Sequence, residues 1–179
     1  MVLPATVPQP TPAKEAREVD EQQETFETGC CPRFDPEPWD EREIKLEDTL
    51  FIKDRVCAFL HIPIRFGRLM KRNTERIDAA GARAERPLML CDEKSLWHTD
   101  VYIAVTKEVP GAKMRTLSGT FLAKVFEGPF KNAGKWHKEM DYYVRAKGST
   151  AKRVYTYYTT CPACAKAYGK NYTVLLAEV

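Results

Sequence analysis

The stretch GTFLAKVFEGPFKNAGKWHKEMDYYVRAKG, Gly119 to Gly148, decides how this chain is read. From Gly119 to Glu127 it carries Phe121, Leu122, Ala123, Val125 and Phe126, a short apolar run of strand type. The pair Gly128-Pro129 ends that run, because proline has no amide to give to a ladder and glycine tolerates turn geometry. Trp136, Met140, Tyr143 and Val144 then recur at steps of three and four, the spacing of one helix face, until Gly148 closes the helix. The local order is strand, turn, amphipathic helix.

Outward from this core the same order appears twice. Downstream, Arg153 to Thr160 and Tyr172 to Val179 read as the strands of a hairpin, which completes a βαββ unit from about Thr120 to Val179. Upstream, CAFLHIP (Cys57 to Pro63) is a strand broken by Pro63 and Gly67, and Leu69, Met70, Ile77 and Ala80 form a helical stripe that stops at Gly81. Pro87 to Cys91 and Thr99 to Val105 supply the second hairpin, so a first copy spans about Val56 to Val109. Two βαββ units predict an α+β fold with pseudo-twofold symmetry and a ligand cleft at the seam between the halves.

Composition bounds the rest. The chain has 179 residues, 44% of them hydrophobic, enough for one domain with its own core. Residues 1–40 differ from the remainder: Pro4, Pro8, Pro10, Pro12, Pro32, Pro36 and Pro38 are seven of the twelve prolines, and they flank the polar run EAREVDEQQETFE. Such an arm cannot repay its ordering entropy and is expected to be disordered up to about Thr28, with the folded domain covering residues 41–179. The arm has neither the basic start nor the apolar core of a signal peptide, and no run is long enough to cross a bilayer, so a cytoplasmic protein is expected. Net charge is +3, with Arg65, Arg68, Lys71, Arg72 and Arg76 spread along a helix and no recognition motif beside them. Nucleic acid and membrane are therefore not expected partners.

The cysteines offer two chemistries. Cys161 and Cys164 form a C-P-A-C motif after the strand VYTYYTT, as a dithiol site would begin, but only fifteen residues follow Cys164, too few for the rest of a thioredoxin-type fold. Cys30 and Cys31 can join them as four thiolates around zinc, although adjacent cysteines are awkward ligands for one tetrahedral ion. Reduced thiols in a hairpin loop, with no metal and no cofactor, are the expectation, with the zinc site as the alternative. Cys57 and Cys91 lie in apolar strands as small core residues, and His61, His98 and His137 lack metal-ligand spacing. His61 precedes the first turn and is a candidate for the cleft.

Aromatic density is the strongest remaining signal. Trp97 and Tyr102 flank the first hairpin, while Phe126, Trp136, Tyr155, Tyr157, Tyr158 and Tyr172 crowd the second unit. Alternation puts Tyr155 and Tyr157 on one face with Tyr158 on the other, groups Tyr172 with Val174, Leu176 and Glu178, and sets Val125 and Glu127 opposite Lys124 and Phe126. Glu127 and Glu178 thereby stand beside apolar neighbours. A carboxylate half-buried among rings is a better proton acceptor than one in open water.

The double βαββ plan, the V-F-E-G-P-F segment at Val125 to Phe130 before a helix carrying Trp136, and the apolar last strand resemble the GyrI-like small-molecule-binding domains over about residues 41–179. Relatives usually carry a histidine where this chain has Glu127. The segments Cys30 to Asp40 and Thr159 to Tyr172 resemble a branch commonly labelled hydrolase, similar to the cyclopropanoid cyclopropyl hydrolases that open the spirocyclopropane of yatakemycin-type DNA alkylators and so give antibiotic self-resistance. The resemblance implies a planar aromatic ligand, no cofactor, a monomer or weak homodimer, and hydrolysis by added water. On it, Glu127, Glu178 and Tyr157 are assigned to catalysis, and Trp97, Tyr102, Phe126, Trp136, Tyr155, Tyr172 and His61 to ligand binding. The alternative it carries is a non-catalytic sensor or sequestering module for the same ligands.

Overall fold

The computed structural model describes residues 27–28, 31–59, 62–85, 87–93, 95 and 97–179. The arm up to residue 26, Cys30 and His61 lie outside them. Among the described residues, seven strands and three α-helices follow in the order β1 (Arg42–Phe59), β2 (Ile62–Pro63), α1 (Phe66–Ala80), β3 (Met89–Asp92), β4 (His98–Ala104), β5 (Met114–Glu127), α2 (Ala133–Ala146), β6 (Arg153–Tyr158), α3 (Pro162–Tyr168) and β7 (Tyr172–Glu178). Without β2 and α3 this is strand, helix, strand, strand, twice over.

All pairings are antiparallel, and the order β1-β4-β3-β6-β7-β5 returns to β1 because β1 also pairs with β5. Six strands thus close into a barrel, with β2 appended to β1. Closure rests on the length of β1, whose first part runs beside β5 and whose last part runs beside β4. A bulge between Leu46 and Thr49, with Asp48 at φ 43°, bends the strand and shifts its alternation by one. Ile44 and Leu46 face inward before the bulge and Phe51 after it, whereas Leu50 and Ile52 turn outward towards α1. Ser118 holds the kink: its hydroxyl accepts from the Asp48 amide at 2.9 Å and donates to Asp48 Oδ1 at 2.8 Å.

A six-stranded barrel is too narrow to stay open, so side chains fill it. Phe51, Leu90, Tyr102, Phe121, Ala123, Tyr155, Val174 and Leu176 form the interior. Among the described residues no open cleft lies at the seam where one was expected: β1 with β5 and β3 with β6 join the halves, and rings occupy the space between. Outside the barrel, α2 lays Trp136, Met140, Tyr143 and Val144 on Leu122, Phe126, Leu175 and Ala177. Helix α1 covers Ile52 and Val105 through Ile77, and Val56 and Val101 through Leu69. Its buried Asn73 donates to Asp54 Oδ2 at 2.7 Å and to the Leu69 carbonyl at 3.0 Å, which ties the helix to β1. Since β7 has helix cover on one face and the barrel on the other, its sequence VLLA reads as unbroken apolar residues.

Sequence patterning locates both helices and both hairpins closely. It overlaps β1 only from Cys57 to Phe59 and misses the strand from Arg42 to Val56, which contains the bulge, and it reads Pro162 to Tyr168 as loop where the chain forms the short helix α3 with proline in its first turn. Among the described residues, no helix is long and apolar enough to cross a membrane.

Candidate functional site

The inward faces of five of the six barrel strands end in polar residues at one mouth of the barrel. Continuing from Phe51, β1 presents Lys53 and Arg55; β4 presents Asp100 before Tyr102; β3 ends in Asp92; β6 opens with Arg153 before Tyr155; β7 closes with Glu178. Asp100, almost buried, is the hub. Lys53 Nζ lies 2.8 Å from its Oδ2, and Arg55 meets both oxygens, Nε at 2.5 Å and Nη2 at 3.1 Å. The Arg55 hydrogen bonds, with Lys53 beside them, outweigh the effect of burial and hold the carboxyl at about 2, below the usual aspartate range. Hydrogen bonding to Asp100 and Tyr102 in turn pushes the Lys53 ammonium up. A pocket of about 270 Å³, lined by Lys53, Asp54, Arg55, Asp100 and Lys113, opens here.

Beside this hub stands a second group. Arg153 Nη1 is 3.4 Å from the Tyr155 hydroxyl and 3.6 Å from Asp92 Oδ2, and Glu178 sits directly opposite Arg153 in the β6–β7 register. Opposed residues in an antiparallel pair share a face with Cβ atoms about 5 Å apart. The Tyr155 ring is buried edge-on against Tyr102, with centroids 5.7 Å apart. Burial pushes the Tyr155 phenol up, Arg153 opposes that, and the Glu178 charge adds to the rise. The phenol therefore stays protonated at neutral pH and is available as a donor.

The opposite end of the barrel is aromatic. Tyr157 and Tyr172 are met by Phe34 and Trp39 from the segment before β1, with centroids 5.4 Å apart for Trp39 and Tyr157, 6.1 Å for Phe34 and Tyr157, and 5.8 Å for Phe34 and Tyr172. Asp40 accepts from the Val125 amide at 3.0 Å, so this segment lies along the barrel end. Glu127 is exposed there, paired in register with Tyr172. The Tyr157 hydroxyl donates to the Pro87 carbonyl at 3.3 Å.

The residues expected to line one cleft are thus divided among separate places. Tyr102, Tyr155 and Glu178 meet at the charged mouth; Tyr157, Tyr172 and Glu127 meet at the aromatic end. Phe126 and Trp136 stack beneath α2 with centroids 5.7 Å apart, outside the barrel and buried, which corrects their place in the cage. Trp97 is 64% exposed on the loop before β4. The physical reason is alternation: even and odd positions of one strand serve opposite faces, and a closed barrel keeps those faces apart.

Lys53, Arg55, Asp92, Asp100 and Arg153 escape the sequence reading. Their signal lies in K-D-R at Lys53 to Arg55, D-V-Y at Asp100 to Tyr102 and R-V-Y at Arg153 to Tyr155, each placing a charge two residues from an inward ring or a second charge. Of the cysteines, Cys31, Cys161 and Cys164 gather with their sulfurs within 4.8 Å of one another, while Cys57 is exposed and Cys91 buried elsewhere. Only this trio, among the described residues, groups three thiol, imidazole or carboxylate ligands closely enough for a metal ion.

The chain is thus an antiparallel barrel whose one mouth gathers ionised groups around buried phenols. The model of the family described as bacterial hydrolase matches residues 20–179, and the chain belongs to that family. The match takes in both barrel ends and the cysteine trio, and the family is one of hydrolases without a stated bond or substrate. No curated protein matches the chain.

Proposed function

We propose that the hydrolase works at the charged mouth, on a small electrophile whose oxygen gains negative charge as water adds. Glu178 orients the water and takes its proton. Tyr155 and Arg153 donate to the developing oxyanion, and Asp100 keeps Lys53 and Arg55 in place. The observation carrying this reading is the grouping of Glu178, Arg153 and the Tyr155 hydroxyl on one inward face at the barrel rim. A carboxylate, a fixed cation and a protonated phenol are what water addition requires, and no covalent nucleophile is needed.

The resemblance to cyclopropanoid cyclopropyl hydrolases names the substrate class to try first. In a spirocyclopropane conjugated to a dienone, the water oxygen attacks the methylene carbon and the ring carbon–carbon bond breaks. The released electron pair leaves the former carbonyl oxygen as a phenolate. The proton of water passes to Glu178 and then to solvent, and Tyr155 stabilises the phenolate. The consequence for a cell exposed to such a DNA alkylator is detoxification.

The aromatic end supports a second reading, since Phe34, Trp39, Tyr157 and Tyr172 offer ring faces to a planar ligand near Glu127. One experiment separates the two. With an excess of a spirocyclopropane alkylator and mass spectrometry of the water-added product, Glu178→Gln is expected to lower turnover by about 10²- to 10⁴-fold while Glu127→Gln leaves it near wild type. The reverse pattern moves the chemistry to the aromatic end. Binding without product places the protein among sensors or sequestering modules instead.

A further inference from the structure

Three thiols from distant parts of the chain meet beside α3. Cys31 comes from the segment before β1, Cys161 and Cys164 from the loop and helix between β6 and β7, and their sulfurs all lie within 4.8 Å of one another. We propose that Cys31, Cys161 and Cys164 bind one zinc ion, which clamps the segment before β1 onto the β6–β7 connection.

The spacing suits the ion. With zinc–sulfur bonds of about 2.3 Å, tetrahedral ligands stand about 3.8 Å apart, so the three sulfurs need only small shifts to become a tripod. A disulfide joins two sulfurs and leaves a third beside it, whereas one tetrahedral ion uses all three and keeps a position for water or a further side chain. Soft thiolates also select zinc over the hard cations that carboxylates attract.

The surroundings are those of held ligands. The Cys161 amide donates to Cys31 Sγ at 3.4 Å, a bond that favours the thiolate and fixes its direction. The Thr28 hydroxyl lies 3.1 Å from Cys164 Sγ and 3.2 Å from the Tyr168 hydroxyl, and Tyr168 donates to the Cys31 carbonyl at 2.5 Å. These contacts hold the Cys164 side chain beside the other two sulfurs. Arg33, paired with both oxygens of Glu27, stacks 4.6 Å from the Tyr168 ring centre.

The clamp has a structural consequence. A few residues beyond Cys31, Phe34 and Trp39 close the aromatic end of the barrel. Zinc would hold the start of that segment while the two rings hold its middle. The inference is independent of the proposed hydrolysis, because the charged mouth is a separate place on the barrel.

The test is elemental analysis of the full chain purified without chelator, together with its intact mass. About one equivalent of zinc per chain is expected. Titration with an organomercurial should release that zinc as the thiols react, and cobalt exchanged into the protein should show thiolate-to-metal charge transfer in the near ultraviolet. Cys31→Ser and Cys161→Ser should each lose the metal while Cys57→Ser keeps it. Because the cobalt spectrum is read on the wild-type chain, the proposal stays testable if a variant fails to fold. Less than about half an equivalent of any metal with the thiols reduced, or an intact mass two hydrogens lighter from a disulfide within the trio, would overturn it.

Discussion

Asp100 is the residue on which the charged mouth turns. Its carboxyl stands at about 2 because Arg55 and Lys53 share its two oxygens. A carboxyl whose folded pKa lies below its unfolded value stabilises the fold fully above the unfolded value of about 3.9, and that contribution fades as pH falls through the folded value. The loss therefore falls between about pH 4 and pH 2 and amounts to about 2 kcal/mol. Asp100→Asn removes that charge and leaves Lys53 and Arg55 facing each other. We expect it to cost about 2 to 3 kcal/mol at pH 7, seen as a lower midpoint in urea unfolding, and to flatten the acid limb of stability relative to wild type. An unchanged acid limb would assign that limb to other carboxylates. Gly128 shows the same dependence on single positions: φ of 136° suits glycine, and a Cβ there would meet Asn132 Nδ2 at 3.4 Å and Trp136 at 3.7 Å.

At the scale of elements, the helices are the most legible parts of the chain. The stripe Trp136, Met140, Tyr143 and Val144 predicts α2, and all four residues are buried against β5 and β7. Met140, with no exposed surface, is its centre, so Met140→Ala should destabilise the fold by about 2 to 5 kcal/mol and lower the melting temperature by several degrees. The pairs Tyr155 with Tyr157 and Val174 with Leu176 also face as alternation indicates. The first part of β1 is not legible, because Glu47 and Asp48 interrupt its alternation and the resulting bulge is stabilised by Ser118, seventy residues away from Asp48. Nor is α3, since PACAKAY is too short to show a helical period and its helix depends on its proline start and on Tyr168 reaching back to Cys31.

At the scale of the molecule, closure of the barrel makes the strands one cooperative unit. Strand β7 is paired on both sides, by β5 and β6, and Thr173 to Ala177 are all buried. We expect their amides to exchange with solvent most slowly, close to the rate set by global unfolding, and the segment of residues 31–40 to exchange faster. Hydrogen exchange read by mass spectrometry tests this directly. Slow exchange confined to the helices, with β7 open, would contradict a closed barrel in solution.

By itself the sequence determined the two long helices with their buried faces, the two hairpins and the facing of residues in β6 and β7, because these follow from periods of 3.6 and 2 that short stretches display. It also marked the cysteines and the two glutamates Glu127 and Glu178 as worth following. Tertiary structure decided that β1 would pair with β5, that the seam would be filled by Phe51, Tyr102, Phe121 and Tyr155, and that the aromatic residues would be divided between two ends and an outer layer. It also decided which charges meet: Lys53, Asp100, Arg153 and Glu178 come from four strands, and Cys31 reaches Cys161 across 130 residues. Local patterns report which way a side chain faces, whereas what it faces depends on which strands become neighbours, a choice made by the packing of the whole chain.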